Sequence, residues 1–446
     1  MKLDDHPTVQ LVRRKLSQQS LPVSVRPLDA EWLRTLCLNA GAGDVGFVEL
    51  GRPALADQRD DILRIFPRAQ SFISFVVRMN REPIRSPARS VANLEFHHAG
   101  DRVNEVARTI VEVLEARGVR ALNPSMGFPM EMERFPGKIW VISHKTVAVE
   151  AGLGQMGIHR NVIHPKFGNF ILLGTIALDA EISAYDAAIA YNPCLECKLC
   201  VAACPTGAIG ADGRFDFSAC YTHNYREFMG GFTDWVEQIA DSPNAKAYRQ
   251  KVSDAESTSM WQSLSFGANY KAAYCLAVCP AGEEVIGPFL ADRKSFTADV
   301  VTPLHDKIEQ VYVVPGSDAE SHVTKRFPHK TVARVSNGLR PSSIDQFLAG
   351  LPNAFQRGRA AGLDAIYHFT FTGVQTRQVT VTIRDKKIGV QDGLVGAPRL
   401  HITADSLTWL RFARKEGNLI WALLTRRICL NGSPRLLMAF GKCFPS

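Results

Sequence analysis

The sequence predicts three parts: an α/β domain at the N-terminus, a cysteine-rich segment in the middle and an α+β domain at the C-terminus. Helix and strand patterns alternate from residue 29 to residue 178, which is typical of an α/β domain. Seven of the ten cysteines lie between residues 194 and 279. After residue 343 a helix pattern is followed by alternating apolar and polar residues, which predicts antiparallel hairpins. A chain of 446 residues has room for these separate domains.

The composition is that of a globular protein, because 46% of the residues are hydrophobic and 22% are charged. The longest apolar stretch, Phe170–Leu178, falls far short of the roughly 20 residues that span a bilayer, and we interpret it as a buried strand. The segment Met1–Ser24 is polar and lacks the apolar region of a signal peptide, even though Arg13 and Arg14 form a twin-arginine pair. We therefore expect a cytoplasmic protein.

Positive charge is concentrated in the last third of the chain. From Val335 onward there are 15 Lys and Arg against 6 Asp and Glu, a net of +9, whereas the whole chain carries +8 and the remainder therefore −1. This asymmetry supports a separate C-terminal domain with an anionic partner or, equally, a surface that is charged for solubility. The basic residues are scattered and accompany no nucleic-acid motif, so we do not expect nucleic-acid binding.

Each element of the first domain is predicted from its periodicity and its stop signals. Gly41 and Gly43 separate a helix from the strand that follows it, and Gly118 ends a long amphipathic helix. In chain order the predicted elements are a helix and a strand over 29–50, a strand over Phe72–Val77, a helix over Asn93–Arg117, a strand over Ile139–Ser143, a helix over Lys145–Ala151 and a strand over Asn169–Leu178.

A glycine-rich loop, GLGQMG, connects the last two of these elements through Gly152, Gly154 and Gly157. The loop fits G-x-G-x-x-G, but a dinucleotide fingerprint requires a preceding strand and a following helix. Here a predicted helix precedes the loop and a strand follows it, so phosphate binding of the Rossmann type is not expected. The glycines still allow the backbone to approach a flat or bulky group closely.

The cysteine run is the most specific motif in the chain. Cys194, Cys197, Cys200 and Cys204, followed by Pro205, form C-x2-C-x2-C-x3-C-P. This is the spacing of bacterial ferredoxins, in which the first three cysteines bind one 4Fe-4S cluster and the fourth binds another. A structural zinc site, the alternative, usually takes two separated pairs of ligands. The run therefore predicts a ferredoxin-like (α+β) iron–sulfur domain embedded in the chain.

The ferredoxin crossover also predicts which thiols share a cluster. The first cluster would take Cys194, Cys197, Cys200 and Cys279, and the second would take Cys204, Cys220 and Cys275. The second set is one ligand short, because Ala272 stands where a complete motif has a cysteine. The second cluster is therefore a 3Fe-4S form, a 4Fe-4S form with a non-cysteine ligand such as His223, or absent from a degraded site. The remaining thiols, Cys37, Cys429 and Cys443, are predicted to be buried.

The residues after the cysteines divide into a polar connector and an α+β domain. The connector, Asp292–Arg334, contains one predicted strand at Val311–Gly316. In the C-terminal domain the predicted elements are a helix from Ser343, strands around Tyr367–Phe371 and Val379–Ile383, a turn at Asp385–Lys387, a helix capped by Asp405, an apolar segment Leu419–Leu424 and a final segment Leu436–Phe440.

The stretch AGLGQMGIHRNVIHPKFGNFILLG, residues 151–174, and the cysteine run twenty residues later are similar to epoxyqueuosine reductases and, more distantly, to reductive dehalogenases. The resemblance covers roughly residues 27–290. It implies a cobalamin in the α/β domain that receives electrons from two iron–sulfur clusters. It also implies corrinoid contacts from Gly152, Gly154, Gly157, Val162 and Leu173, and from the weaker candidates Arg59 and His98; structural glycines and core aliphatics are the alternative.

One departure from this family concerns the proton donor. Epoxyqueuosine reductases carry an aspartate in a V-D-[ST]-x-P-V segment upstream of the glycine loop, whereas this chain has Lys138-Ile139-Trp140-Val141 there. Epoxyqueuosine in tRNA is therefore a doubtful substrate. Because a tyrosine with a lysine or arginine protonates the substrate in some dehalogenases, His144, Lys145 and Tyr221 are the candidates here.

The sequences FTFTG and LNGSPRLLMAF, with the strands between them, look like a sterol-carrier-protein-type domain. The resemblance implies a hydrophobic or anionic small-molecule ligand, and the alternative is an apolar core without a pocket. The predicted domains are residues 1–185, 186–291, a connector 292–334, and 335–446.

Two functions follow from these patterns. The first is a cobalamin-dependent reductase of an apolar or lipid-like molecule, supplied by an external electron donor of the ferredoxin or flavodoxin type. The second is a non-catalytic electron-transfer or redox-sensing protein that has no corrinoid.

Overall fold

The structure is a computed structural model that describes residues 3–18 and 27–445. Short 3-10 helices lie at Leu3–Asp5, Pro53–Gln58 and Met132–Arg134. The helices of the first part are α1 (Pro7–Gln18), α2 (Ala30–Ala40), α3 (Arg59–Ile65), α4 (Arg81–Arg85), α5 (Arg89–Ala116) and α6 (His144–Glu150). Its strands are β1 (Asp44–Glu49), β2 (Ser71–Arg78), β3 (Ala121–Leu122), β4 (Gln155–Met156), β5 (Val162–Ile163) and β6 (Ile171–Leu178).

The N-terminal sheet has four strands in the order β1-β2-β6-β3. Alternate residues of β2 face opposite cores: Phe75 packs with α2 and α5, and Val76 packs with α3 and α6. Helices and strands thus alternate along the chain and cover both faces of the sheet, as predicted. All three pairings in this sheet are antiparallel, which the alternation by itself does not indicate.

Local signals place most of these elements where the sequence predicts them. The Asp29 carboxylate accepts from the backbone N–H of Trp32 at 2.7 Å to start α2, and Gly41 ends this helix in the left-handed conformation. Gly174 faces Phe75 across β2 and β6, where a Cβ would lie 2.1 Å from the ring.

The strand predicted at Ile139–Ser143 is wrong. The backbone N–H of Ser143 donates to the Gln58 side chain instead of to a neighbouring strand, and the Ser143 hydroxyl caps α6. Ile139 and Ile142 are buried all the same, so their apolar character reflects the packing of an irregular segment.

The middle of the chain is helical. Its helices are α7 (Leu199–Ala203), α8 (Phe217–Asn224), α9 (Gly230–Ala240), α10 (Ala245–Lys251), α11 (Asp254–Phe266), α12 (Tyr274–Ala277) and α13 (Gly287–Ala291). Between residues 186 and 291, β-structure is limited to the isolated bridge between Ile209 and Phe215. The likeness of this part to a ferredoxin therefore rests on cysteine spacing and not on strand content.

The predicted connector is more structured than its sequence indicates. It contains α14 (Arg293–Phe296), a π-helical turn (Thr297–Val301), α15 (Thr302–His305), β7 (Gln310–Val313), α16 (Asp318–Arg326) and β8 (Thr331–Arg334). Strands β7 and β8 form a parallel pair, of which only the first is predicted. Phe296, Val311 and Phe327 share one core with Cys200 and Cys204, so this segment supports the cysteine-rich part directly.

The C-terminal part is built on a five-stranded sheet in the order β11-β10-β9-β12-β13. Its elements are α17 (Ile344–Ala354), β9 (Ala365–Thr372), β10 (Arg377–Arg384), β11 (Lys387–Asp392), β12 (Leu400–Asp405), α18 (Ser406–Ala413), α19 (Leu419–Leu424), β13 (Ile428–Gly432) and α20 (Pro434–Lys442). The predicted hairpins are antiparallel, whereas β9 and β12 pair in parallel. Tyr367, Phe369 and Phe371 alternate inward to form the core with α17, α18 and α20. Within the described ranges no helix has both the length and the apolar character needed to cross a membrane.

Arg226 links α9 and α11 in the middle part of the chain, and we expect its replacement to destabilise the fold. The Arg226 side chain, 1% exposed, donates to Asp234 at 2.6 Å in α9 and to Glu256 at 2.8 Å in α11, and its guanidinium lies over the Tyr312 ring. We predict that Arg226→Met lowers the free energy of unfolding by about 3–5 kcal/mol, because two buried carboxylates lose their counter-charge.

Urea unfolding followed by circular dichroism measures this effect. Arg249→Met is the matched control, because its ion pair with Asp254 is exposed and is expected to contribute less than about 1 kcal/mol. Equal destabilisation by the two changes would contradict the prediction.

Candidate functional site

The four cysteines predicted for the first cluster line one cavity. Cys194, Cys197, Cys200 and Cys279 surround a small space together with Ile158, His159, Leu195, Glu196, Lys198, Pro280 and Ala281. Among the described residues no three His, Cys, Asp or Glu side chains converge as a site for a single metal ion. Four thiols spread around a cavity are the donor set that a polynuclear iron–sulfur cluster takes.

Strained backbone occurs beside cysteines of both thiol groups. Glu196 and Lys198, which alternate with the cysteines, have φ angles of 49° and 64°, and Ala273, two residues before Cys275, has a φ of 55°. Side chains other than glycine adopt this left-handed region at a cost of roughly 1 kcal/mol or more per residue. The structure thus keeps an unfavourable backbone at the points where the thiols must be directed inward.

Cys204, Cys220 and Cys275, the thiols predicted for the second cluster, form a second group, and the charge of Cys275 also acts on Cys200 of the first set. Burial is the main cause that holds the pKa of Cys220 well above its usual value. The charges of Cys275 and Cys204 are the next causes, so the three thiols repel one another when they are ionised. Burial, followed by the Cys204 charge, raises the pKa of Cys275 to about 12. Buried thiols of this kind stay protonated unless a metal replaces the proton. Cys220 lies on α8, Cys275 on α12, and Cys204 directly follows α7.

The fourth position of this second group has no thiol. Ala272 is buried, and its N–H donates to the Asn224 side chain at 3.0 Å. The alternative ligand His223 accepts from the backbone N–H of Tyr312 through Nδ1. Burial lowers the pKa of His223 to about 4, and the charges that act on it are those of Glu309 and of lysines, not those of the thiols. The Nε2 atom of His223 is buried without a hydrogen-bond partner among the described residues, so His223 stays a predicted candidate for the fourth ligand.

Two buried arginines supply positive charge beside the thiols. Arg85 stacks over Phe170 and Phe296, and Arg89 stacks over Tyr274. Within the described part of the chain, Nε and Nη2 of both side chains are buried without a hydrogen-bond partner. The charges that act on Arg85 are those of its ion-pair partner Glu82, of Arg81 and of Cys279, and those that act on Arg89 are those of Tyr274, Glu309 and Cys275. Unpaired buried donors beside cysteines fit an anionic group such as an iron–sulfur cluster.

We infer a recess beside the second thiol group from the exposure and the pKa shifts of the side chains around it. Lys145 is exposed, and Tyr225, Tyr270, Cys220 and Cys275 are half-buried. Burial nevertheless lowers the pKa of Lys145 and raises the pKa of the other four side chains. Accessible surface together with a strong burial effect indicates side chains that line a deep recess. The rings of Tyr225 and Tyr270 meet edge to face, with centroids 5.6 Å apart.

Lys145 connects this recess to the thiols. Its Nζ donates to the backbone oxygen of Arg160 at 2.7 Å and to Asn161 Oδ1 at 3.2 Å. Asn161 Nδ2 in turn lies 4.0 Å from Cys275 Sγ. Ser143 caps α6 two residues before Lys145, so the start of this helix helps to position the Lys145 ammonium. Lys145 is the one candidate proton donor from the sequence that lines the recess.

The other two candidates, His144 and Tyr221, form contacts within the protein, and their role as proton donors stays a prediction. Both ring nitrogens of His144 are engaged, Nδ1 with the Thr175 hydroxyl at 2.9 Å and Nε2 with the backbone oxygen of Ser125 at 3.0 Å. The buried Tyr221 hydroxyl accepts from the Gly230 N–H at 2.9 Å. Tyr225, one helical turn after Tyr221, faces the recess instead, and the spacing of the aromatic residues along α8 is the sequence signal that could have found it.

The glycine loop packs against the chain itself. A Cβ on Gly152 would lie 2.7 Å from the Ala187 oxygen, and a Cβ on Gly154 would lie 2.4 Å from the Ile163 oxygen. A Cβ on Gly157 would lie 2.8 Å from side-chain atoms of His159 and Ile163. Close protein packing thus accounts for all three glycines, and their contact with a corrinoid stays a prediction.

The remaining predicted contacts lie in different environments. Val162 is buried in the core of the N-terminal sheet, and Leu173 is half-buried against the same core. Arg59 donates through Nη2 to the Gly51 oxygen at 3.0 Å, and His98 is exposed on α5. Among the cysteines away from the motif, Cys37 and Cys443 are buried as predicted, whereas Cys429 is exposed and that prediction is wrong.

Fold and site together define a protein in which a cysteine-rich module precedes an α+β domain. Residues 344–445 match the SCP-2 sterol transfer family, which confirms the predicted sterol-carrier-type domain.

The module before it is similar to epoxyqueuosine reductases, as predicted. The enzyme of Cellulophaga algicola is 32% identical over 100 residues, which cover 21% of this chain and 32% of the relative. That of Gloeobacter violaceus is 26% identical over 167 residues, covering 37% of this chain and 50% of the relative. The aligned stretches thus span half of these relatives or less.

Solved structures give distant matches to the same two groups of enzymes. A catabolic reductive dehalogenase matches with a TM-score of 0.39 and 15% identity, over 61% of this chain and 34% of that protein. The epoxyqueuosine reductase from Streptococcus thermophilus matches with a TM-score of 0.34 and 16% identity, over 62% and 78% respectively.

Proposed function

We propose that the chain is a cytoplasmic iron–sulfur oxidoreductase that uses a cobalamin to reduce an apolar or lipid-like molecule. The observation that carries the proposal is the recess in which Lys145, Tyr225 and Tyr270 face the thiols Cys220 and Cys275. When bound, cobalamin supplies a cobalt centre that accepts single electrons and transfers them to a substrate. The reductases among the relatives support this class of reaction.

The thiol groups would hold two clusters in series. The first group includes the half-buried Cys194 and Cys197, so its cavity reaches the surface, where an external donor of the ferredoxin or flavodoxin type would deliver electrons. The second group borders the recess. Arg85 and Arg89 would donate hydrogen bonds to the clusters and offset their negative charge.

Lys145 and Tyr225 would supply protons to the reduced substrate. Burial and the neighbouring charges of Tyr270 and Cys220 hold the pKa of Tyr225 well above its ordinary value, so its hydroxyl keeps its proton at neutral pH. Lys145 is held by Arg160 and Asn161 at the other side of the same thiols. The side chains of Lys145 and Tyr225 would thus take the role of the aspartate that this chain lacks.

The C-terminal domain would bind the apolar molecule. Trp409 is 2% exposed within an aromatic core, 5.4 Å from Phe369 between ring centroids, and its Nε1–H has no partner among the described residues. An N–H left unpaired in an apolar core suits a ligand that is largely hydrocarbon and carries one acceptor oxygen.

The second candidate function, an electron-transfer protein without a corrinoid, is favoured by one specific observation. The GLGQMG glycines are explained by close contacts with Ala187, Ile163 and His159, so the loop needs no corrinoid to account for its composition. In that case the recess beside Cys220 would serve as a contact surface for a redox partner.

Anaerobic reconstitution separates the two functions. We predict that the purified chain, loaded with iron and sulfide and then incubated with hydroxocobalamin, retains about one corrinoid per chain after gel filtration. Tyr225→Trp enlarges a side chain that lines the recess and is expected to abolish retention. Tyr221→Phe, the matched control, removes a hydroxyl that contacts Gly230 and is expected to retain the corrinoid. Intact clusters with no retained corrinoid in the unaltered chain would favour the electron-transfer protein.

A further inference from the structure

The short helix α19 and the two arginines after it form an amphipathic surface, which we call the α19 surface. It consists of Ile420, Trp421, Leu424, Arg426 and Arg427. The three apolar side chains are 69%, 55% and 78% exposed, respectively. On the opposite side of the same helix, Leu419, Ala422 and Leu423 pack into the C-terminal core. One side of the helix therefore packs against the core, and its large apolar side chains are exposed to solvent.

The local sequence fixes this presentation. Asn418 caps the helix by accepting from the Trp421 N–H at 3.1 Å, and the N–H of Arg427 closes its end on the Ala422 oxygen at 2.9 Å. Arg426 follows in the left-handed conformation, with a φ of 54°. The outward side chains thus belong to a folded, capped turn, and their exposure is a feature of the native fold.

Positive charge borders these apolar side chains. The Arg427 guanidinium lies 5.5 Å from the centre of the Trp421 ring. Arg426 and Arg427 are exposed, and within the described ranges neither forms an ion pair with a carboxylate. Glu416 pairs with Arg340, and the Asp405 carboxylate accepts from Thr408 at the start of α18, although the charge of Arg427 also acts on Asp405.

We infer that the α19 surface docks on an anionic lipid bilayer. A tryptophan and two aliphatic side chains side by side suit the boundary between acyl chains and headgroups, and arginines at the same level attract anionic lipids. A protein partner would have to bury unpaired arginines against its own acidic groups, whereas a bilayer surface satisfies both features at once. Docking there would bring the lipid-binding domain of the proposed function to its source of ligand, although the surface itself is independent of that function.

Co-sedimentation of the full-length chain with vesicles tests the inference. We expect binding to vesicles of phosphatidylcholine and phosphatidylglycerol that weakens as salt is raised, and little binding to phosphatidylcholine alone. The double variants Trp421→Ser with Leu424→Ser, and Arg426→Gln with Arg427→Gln, are expected to weaken binding about tenfold or more.

Matched controls make the same changes elsewhere on the surface. Ile308→Ser alters an apolar side chain that is 82% exposed, and Lys386→Gln with Lys387→Gln removes two charges from the turn between β10 and β11. Both are expected to bind vesicles like the unaltered chain. Equal loss in controls and α19 variants, no binding by the unaltered chain, or a concentration-dependent dimer that the α19 variants abolish would each overturn the inference. Corrinoid retention is expected to be unchanged in every variant, which separates this test from that of the proposed function.

Discussion

Cys279→Ala and Cys275→Ala are expected to remove different iron–sulfur clusters, although the two residues lie only four positions apart. Cys279 faces the cavity of Cys194, Cys197 and Cys200, whereas Cys275 is grouped with Cys204 and Cys220. We predict that Cys279→Ala loses about four irons per chain and that Cys275→Ala loses three to about four, according to the form of the second cluster.

Iron and acid-labile sulfide analysis with electron paramagnetic resonance measures this outcome. Each variant is expected to lose one of two distinguishable signals and to keep the other. Cys429→Ala is the control, because that thiol is exposed and far along the chain from the motif, and it is expected to keep both signals. Loss of the same signal from both variants would contradict the crossover, and bound zinc in place of iron would contradict the assignment to clusters altogether.

Ala272→Cys is expected to complete the second cluster. The position is buried, lies three residues before Cys275, and is held by the hydrogen bond of its N–H to Asn224. If the unaltered chain carries a three-iron cluster there, its iron content is about seven per chain, and the variant is expected to reach about eight. The signal of the oxidised three-iron form disappears at the same time.

Ala272→Ser is the matched control, because it adds a side chain of similar size with a hard hydroxyl in place of a thiol. It is expected to leave both the iron content and the signal as in the unaltered chain. An unaltered chain with about eight irons would show that a non-cysteine ligand completes the cluster. Four irons in both the unaltered chain and Ala272→Cys would show that the second site is degraded.

The sequence predicts the cysteine sets of the clusters but does not predict the recess. The grouping of the seven cysteines is predicted from the spacing of the motif and the ferredoxin crossover, and the gap at Ala272 is visible in the same motif. Helix caps such as Asp29 and Asp405 are equally local, since each carboxylate bonds an N–H three residues away.

The recess could not be found in this way. Lys145 comes from the start of α6, Tyr225 from the end of α8 and Tyr270 from the loop before α12, and only the packing of these elements brings them to the same thiols. The sequence pointed to Tyr221 and did not single out Tyr225, because the contact of Tyr221 with Gly230 is visible only in the folded chain.

The amino-acid sequence by itself determined the spacing of the cysteines, the absence of a thiol at position 272 and the sterol-carrier-type domain, because these depend on neighbours along the chain. The tertiary structure alone decided the antiparallel order of the first sheet, the packing role of the GLGQMG glycines and the outward face of α19. Those features depend on which distant segments pack together, because packing decides whether a side chain lines a recess, lies in a core or stays exposed.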